Sequence, residues 1–311
     1  SGTARRWITP ATVAIVERTP TGWPLGGGEY DTGRQWIGNE GRQRGRIGKN
    51  AMDLGLNGKS AILSAASQGL GKACAQSLAA EGVSLTINAR TPEKLEATAE
   101  EIRSEFGVEV RAVAGDFADA ETRNRLLQAD GSPDIVVNNP GVRQVPDPYD
   151  KIDADAWRYW MEVHFLSSIE FIQAVAPGMQ ARKFGRIINM SVSFIKFPQV
   201  GFAHTHAARL ALSGASAAMV RELIADNVTI NTVCPGLFDT DALHTNLHGH
   251  AKRGNTTYEA IVEDRVNGCP AHRFADPREC GDLVTFLCSA QAGFMSGQNI
   301  VNDGGVYQGL F

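Results

Sequence analysis

Residues 61–71 read Ala61-Ile62-Leu63-Ser64-Ala65-Ala66-Ser67-Gln68-Gly69-Leu70-Gly71, and this stretch decides the fold. A short apolar run ends in a turn of small and polar residues, which opens directly onto a helical pattern over about 70–81. Gly69 lets the backbone approach an anion, and Gly71 lets the helix lie close on the strand. Ser64, Ser67, Gln68 and Leu70 complete the turn. It aims the unpaired N–H groups of a helix N-terminus at whatever anion binds. Strand, glycine turn and helix in that order make the first half of a βαβ unit.

The same rhythm continues outward. Apolar, β-branched runs at 83–87, 108–113, 135–137, 187–190 and 228–233 suit strands buried on both faces. Helical patterns fall between them at about 92–106, 154–182 and 205–225, and a last helix near 277–288 precedes a strand at 299–301. This alternation predicts one α/β domain over 52–311, a doubly wound parallel sheet with helices on both faces. Ligands of such sheets sit outside the carboxyl ends of the strands. The first 51 residues differ: ten of the 33 glycines and three of the five tryptophans lie there, without sustained periodicity. They read as a non-native or disordered leader with Met52 the natural start, or alternatively as a basic, aromatic docking arm.

Composition narrows the function. A net charge of -4 argues against nucleic acid or an anionic membrane as the main partner. No apolar stretch reaches the roughly 20 residues of a membrane helix. Five cysteines without a C-x-x-C pair read as reduced thiols of a cytoplasmic protein. His244, His248 and His250 have no carboxylate or thiol completing a ligand set, so no metal is expected.

Later turns extend the first one. Asp116-Phe117 follows the third strand, Asn138-Asn139-Pro140-Gly141 the fourth, Pro235-Gly236-Leu237-Phe238-Asp239-Thr240 the sixth, and Gly297 to Gly305 closes the chain. In this order and spacing the sequence resembles the short-chain dehydrogenase/reductase family over essentially all of 55–310. The resemblance implies a Rossmann-type fold and a nicotinamide dinucleotide. Asp116 and Phe117 would then border the adenine, Asn138, Pro140 and Gly141 the fourth turn, and Pro235, Gly236 and Thr240 the nicotinamide. The family's usual Thr-Gly at the start of the first turn is Ser64-Ala65 here. If that position needs a positive φ, Ala65 costs about 1–2 kcal/mol. The second strand ends in Asn88-Ala89-Arg90 with no acid for a ribose 2′-hydroxyl, and Arg90 suits a 2′-phosphate. NADP(H) is therefore favoured over NAD(H).

The family's Asn-Ser-Tyr-Lys catalytic set falls on His164, Val192, Thr205 and Arg209. Arg209 can still hold the ribose as a fixed cation. Thr205 is too weak an acid to replace tyrosine. The expected acid/base group is His206, with His204 and His164 as rivals, since histidine titrates near neutrality. Ser193 precedes His206 by thirteen residues, the spacing of the family's serine–tyrosine pair, and Ser191 is a neighbouring hydroxyl. His206 would reach the site only if the helix start is rotated or unwound. Thr205-His206-Ala207-Ala208-Arg209 looks like a branch resembling β-ketoacyl-carrier-protein reductases. The expected activity is interconversion of a ketone and a secondary alcohol through non-standard acid/base residues. The alternatives are a cofactor-binding protein without hydride chemistry and a cofactor-free lyase resembling the halohydrin dehalogenases. A small carbonyl or alcohol is the expected substrate, under a lid at about 237–275. The family's pairing of long helices implies a homodimer or homotetramer through Ile169, Ile172, Val175, Ala211, Ala215 and Met219.

Overall fold

The computed structural model of the protein describes residues 52–141 and 146–310. The expectations for the leader lie outside the described residues. Seven parallel strands form one sheet in the order β3-β2-β1-β4-β5-β6-β7. They are β1 (Ser60–Leu63), β2 (Ser84–Ala89), β3 (Val110–Ala114), β4 (Ile135–Asn138), β5 (Gly185–Met190), β6 (Val228–Pro235) and β7 (Asn299–Asn302). Strand order reverses between β1 and β4, which opens a crevice at their carboxyl ends.

Alternation along each strand divides the core. Ala61, Leu63, Leu85, Ile87, Ile135, Val137 and Ile188 face one side, where α1 (Gly69–Ala80), α2 (Pro92–Phe106) and α9 (Pro277–Cys288) pack. Ile62, Val136, Ile187, Val228 and Ile230 face the other. There they meet α3 (Ala120–Asp130), α5 (Ser167–Ala181) and α6 (Ala203–Leu223).

The structure departs from the sequence reading in three elements and in one proposed surface. Helix α3 is absent from that reading because its face is polar, with Thr122, Arg123 and Leu126 its buried residues. The predicted single helix over 154–182 is α4 (Ala154–Met161), a π-helical turn (Glu162–Leu166) and α5 in succession. The predicted lid contains two helices, α7 (Asp241–Gly254) and α8 (Tyr258–Asn267). Ile172 and Val175 are buried in this chain's own core, so they are not part of a partner-facing surface. No helix among the described residues is long and apolar enough to cross a membrane.

Candidate active site

The first turn is built for close approach. A Cβ on Gly71 would stand 2.1 Å from the carbonyl oxygen of Ala65, so any side chain there would push α1 off the turn. Gly69 has φ +54, with the Thr240 methyl 3.5 Å from where a Cβ would stand. Ala65 itself adopts φ +50, the left-handed conformation the family fills with glycine. No side chain caps α1 and no acid lies in its first turn, whereas Asp153, Thr240, Thr257 and Asp276 cap α4, α7, α8 and α9. The N–H groups of that first turn are therefore free of side-chain acceptors, as a pyrophosphate requires.

Several residues expected to touch a dinucleotide have side chains committed elsewhere. Ser64 donates to the Asn139 carbonyl oxygen (2.9 Å) and accepts from the Asn139 N–H (2.8 Å), tying the first turn to the fourth. Asn138 donates to Asn189 Oδ1 at 3.0 Å, and Asn189 in turn donates to Ser216. The Phe117 ring is buried against Phe171, with centroids 5.3 Å apart, and Leu70 packs on the core. Asp116 accepts from Ala118 N at 3.0 Å, which folds the turn after β3. The Ser64 and Asn138 bonds tie the turns together, because turns at strand ends must satisfy buried polar groups. Gly141 has φ +64, and a Cβ there would lie 2.3 Å from the Ala65 methyl. Pro235 ends β6, and Gly236 presses on Asp303, which a Cβ would approach to 2.6 Å. The Thr240 hydroxyl caps α7 by accepting from Leu243 N at 3.2 Å.

Arg90 is exposed at the end of β2 and forms no ion pair among the described residues. Lys94, on the first turn of α2, bonds Gln68 Oε1 and so places a second cation by the glycine turn. The sequence reading missed Lys94. Its signal was Pro92 at the helix start, which puts residue 94 on the turn adjoining Arg90. Thr98 donates to the Ser67 carbonyl oxygen at 3.0 Å and holds α2 against the same turn. These features fit a dinucleotide: a cradle that a Cβ would fill, uncapped helix N–H groups, and cations beyond the second strand.

On the other side of the crevice the polar groups are arranged differently. Val192, Ser193 and Ser191 follow β5, with Ser193 buried at the start of a short 3-10 turn and Ser191 Oγ buried without a partner. Thr205 donates to the Phe202 carbonyl oxygen at 3.1 Å. Arg209 is buried and donates to the Met190 carbonyl oxygen at 3.4 Å. Burial lowers its pKa to about 10, with Cys234 opposing. Helix α6 is regular from Ala203, and His206 N bonds Phe202 O at 2.9 Å. The rotated or unwound start that would swing His206 into the tyrosine's place does not occur.

His164 and His206 lie in the field of Arg209, and His204 neighbours both. His164 lies in the π-helical turn, stacked on Trp160 at 5.1 Å, with both ring nitrogens buried and without partners. Burial, then the charges of Arg209 and His204, push its pKa down to about 2. His204 meets the edges of Trp157 and Trp160, and both its nitrogens lack hydrogen-bond partners; Asp147 Oδ2 stands 3.9 Å from Nε2. His204 is shifted down by burial, against the pull of Asp147. His206 stacks on Phe202 with Nε2 unpartnered, and burial, then Arg209 and His204, lower it too. A buried imidazole beside a fixed cation is a weaker base than a free one and carries a proton only in acid.

A family profile described as Enoyl-(Acyl carrier protein) reductase matches residues 64–307. The chain is 32% identical over 265 residues to the oxidoreductase YvaG of Bacillus subtilis, covering 84% of this chain and all of that one. It is 31% identical to the 3-oxoacyl-(acyl-carrier-protein) reductase FabG of Vibrio cholerae, covering 82% and 99% of the two chains. The solved structure of L-sorbose reductase from Gluconobacter frateurii, complexed with NADPH and L-sorbose, superposes with a TM-score of 0.79 at 28% identity. The match covers 83% of this chain and 100% of that one. A seven-stranded parallel sheet, a glycine turn at its switch point and these matches agree: the chain belongs to the short-chain dehydrogenase/reductase family of NAD(P)-dependent oxidoreductases.

Proposed function

We propose that the protein is an NADP(H)-preferring oxidoreductase that interconverts a ketone and a secondary alcohol, with a histidine in place of the family's tyrosine. The observation that carries this reading is the pair of buried imidazoles near Arg209, His164 at a family catalytic position and His206 beside one. Arg90 and Lys94, with no acid at the end of β2, support the choice of NADP(H). The relative solved with NADPH and L-sorbose agrees with both the cofactor and the reaction class.

The cofactor, when bound, supplies or accepts the hydride. The chain's part is to hold it and to handle the proton. Arg209 keeps a fixed positive charge behind the ribose position, and Val192 gives an apolar wall where the family has a hydroxyl. His206 takes the hydroxyl proton during alcohol oxidation and returns it during carbonyl reduction only if substrate binding turns the start of α6, because in this structure the helix is regular from Ala203 and Nε2 is buried.

The test compares His206→Ala with His164→Ala, each assayed for NADPH binding and separately for turnover over a panel of ketones and polyols. A proton-handling His206 predicts a loss of about 10²–10⁴-fold in turnover with binding nearly intact. If neither change slows an active wild type, the histidine mechanism is wrong. A wild type that binds NADPH and turns over nothing is a cofactor-binding protein without hydride chemistry. The regular start of α6 and Val192 favour that second reading. We also propose a homodimer or homotetramer through the outer faces of α5 and α6, where Ile169 and Leu210 remain accessible. Light scattering reporting a monomer at micromolar concentration would remove it.

A further inference from the structure

A cluster on the segment between β6 and α9 takes no part in the proton chemistry above. His244, on the first turn of α7, is bonded on both sides of its ring. Nε2 lies 2.6 Å from Asp239 Oδ1, and Nδ1 lies 2.5 Å from the Tyr258 hydroxyl oxygen. A carboxylate only accepts, so Nε2 carries a proton and donates to Asp239, and in the neutral ring Nδ1 accepts from the Tyr258 O–H. Tyr258 begins α8, and its ring also stacks on His248 of α7, with centroids 4.1 Å apart. Tyr258 is thus gripped by two α7 residues one turn apart.

The lower end of this chain of bonds reaches the cofactor side. Asp239 directly precedes Thr240, whose hydroxyl caps α7 and whose methyl faces Gly69 of the first turn. Asp239 N donates to the Ala275 carbonyl oxygen at 2.8 Å, and Phe238 pairs with Ala275, which fixes the base of the segment to the chain entering α9. Above that base little apolar burial holds the helices. Leu247 and Ala251 are the buried residues of α7, and α8 has none. Segments with so few buried contacts open easily unless specific polar bonds restrain them.

We infer that His244 is a positioning residue for the dinucleotide: through Asp239 and Tyr258 it joins α7 and α8 and fixes Thr240 against the glycine turn. The inference rests on the cofactor reading above and adds a residue that acts on cofactor affinity from outside the Arg209 cluster.

The test uses the full chain and NADPH titration by fluorescence, with amide exchange over residues 241–267 as a second measurement. His244 is 38% exposed, so His244→Ala leaves no cavity and keeps the fold. It should weaken NADPH binding about tenfold and speed exchange in α8. Where turnover is measurable, KM for NADPH should rise while kcat stays within about twofold. His244→Gln should recover binding to within about threefold of wild type, because its amide can donate to Asp239 and accept from Tyr258 in the same sense. Tyr258→Phe should fall between the two. Alanine binding within twofold of wild type, or glutamine no better than alanine, overturns the assignment. A wild type that binds neither NADPH nor NADH overturns the cofactor reading, and the assignment with it. Faster exchange in His244→Ala would then show a brace that is structural only.

Discussion

The two halves of the crevice satisfy their polar groups in opposite ways. Around the ends of β1, β2 and β3, Ser64, Asn88 and Thr98 are tied to backbone of a neighbouring turn or strand, and Asp116 to backbone of its own turn. Around the end of β5 and the start of α6, Ser191, His164, His204 and His206 bury nitrogens or oxygens with no partner. A buried polar group without a partner costs about 1–3 kcal/mol, so folds retain such groups mainly where a ligand or reaction uses them. The first half is a scaffold of fixed hydrogen bonds. The second carries its cost in three imidazoles and a hydroxyl beside the end of β5.

The largest expected effect breaks that comparison on the β5 side. Beyond the loss of about 10²–10⁴-fold in His206→Ala, the pH profile is diagnostic. Burial and Arg209 lower the pKa of His206, so the imidazolium needed for carbonyl reduction becomes abundant only below the ordinary histidine range. Reduction should accelerate as pH falls below about 6.5, while alcohol oxidation should hold its rate through neutral pH. A reduction rate that falls in that direction, measured with binding saturated, would assign the proton to another group.

Cofactor choice sharpens the other side. Arg90→Ala should narrow the preference for NADPH over NADH by about tenfold or more, as a charge-assisted contact worth about 1.5–3 kcal/mol disappears. Equal or tighter NADH binding by the wild type would count against an NADP(H) site.

Acid stability probes the unpartnered imidazoles directly. Unfolded, His164 takes up a proton near its ordinary pKa of 6.5; folded, it does so only near 2. Between those values the unfolded state binds more protons, so stability rises with pH and is lost as pH falls below 6.5. By pH 5 the loss is about 2 kcal/mol for this residue, and His204 and His206 add to it in the same direction. His164→Asn should lose less stability between pH 7.5 and 5 by about that amount in urea titrations. An unchanged difference would mean that His164 is not buried neutral.

The smallest effect concerns strain in the scaffold half. Ala65 holds φ +50, at a cost of about 1–2 kcal/mol, and its methyl occupies the space that Gly141 leaves by having no Cβ. Ala65→Gly relieves the strain but returns about 0.5–1 kcal/mol to the unfolded chain's entropy. The net gain is about 1 kcal/mol or less, a rise in Tm of no more than about 4 °C. A lower Tm would show that the methyl's packing outweighs the strain.

The sequence by itself determined the sheet and the cofactor turns, because both are written locally. Continuous apolar runs mark strands buried on both faces, and the positive φ of Gly69 and the approach of Gly71 to Ala65 are set within a few residues of the chain. Position 65 was likewise legible, down to the possibility of strain. Helices α3, α7 and α8 escaped notice because they bury so little that no apolar period marks them. Only the tertiary structure decided which side chains are spent on scaffolding and which are left over. Ser64 meets Asn139 across 75 residues of sequence, and Asn138 meets Asn189 across 51. His164, His204 and His206 become neutral and unpartnered because α4, the π-helical turn and α6 close over them. Histidine's protonation depends on that non-local burial and on the charge of Arg209, and neither can be read from the residues on either side of it.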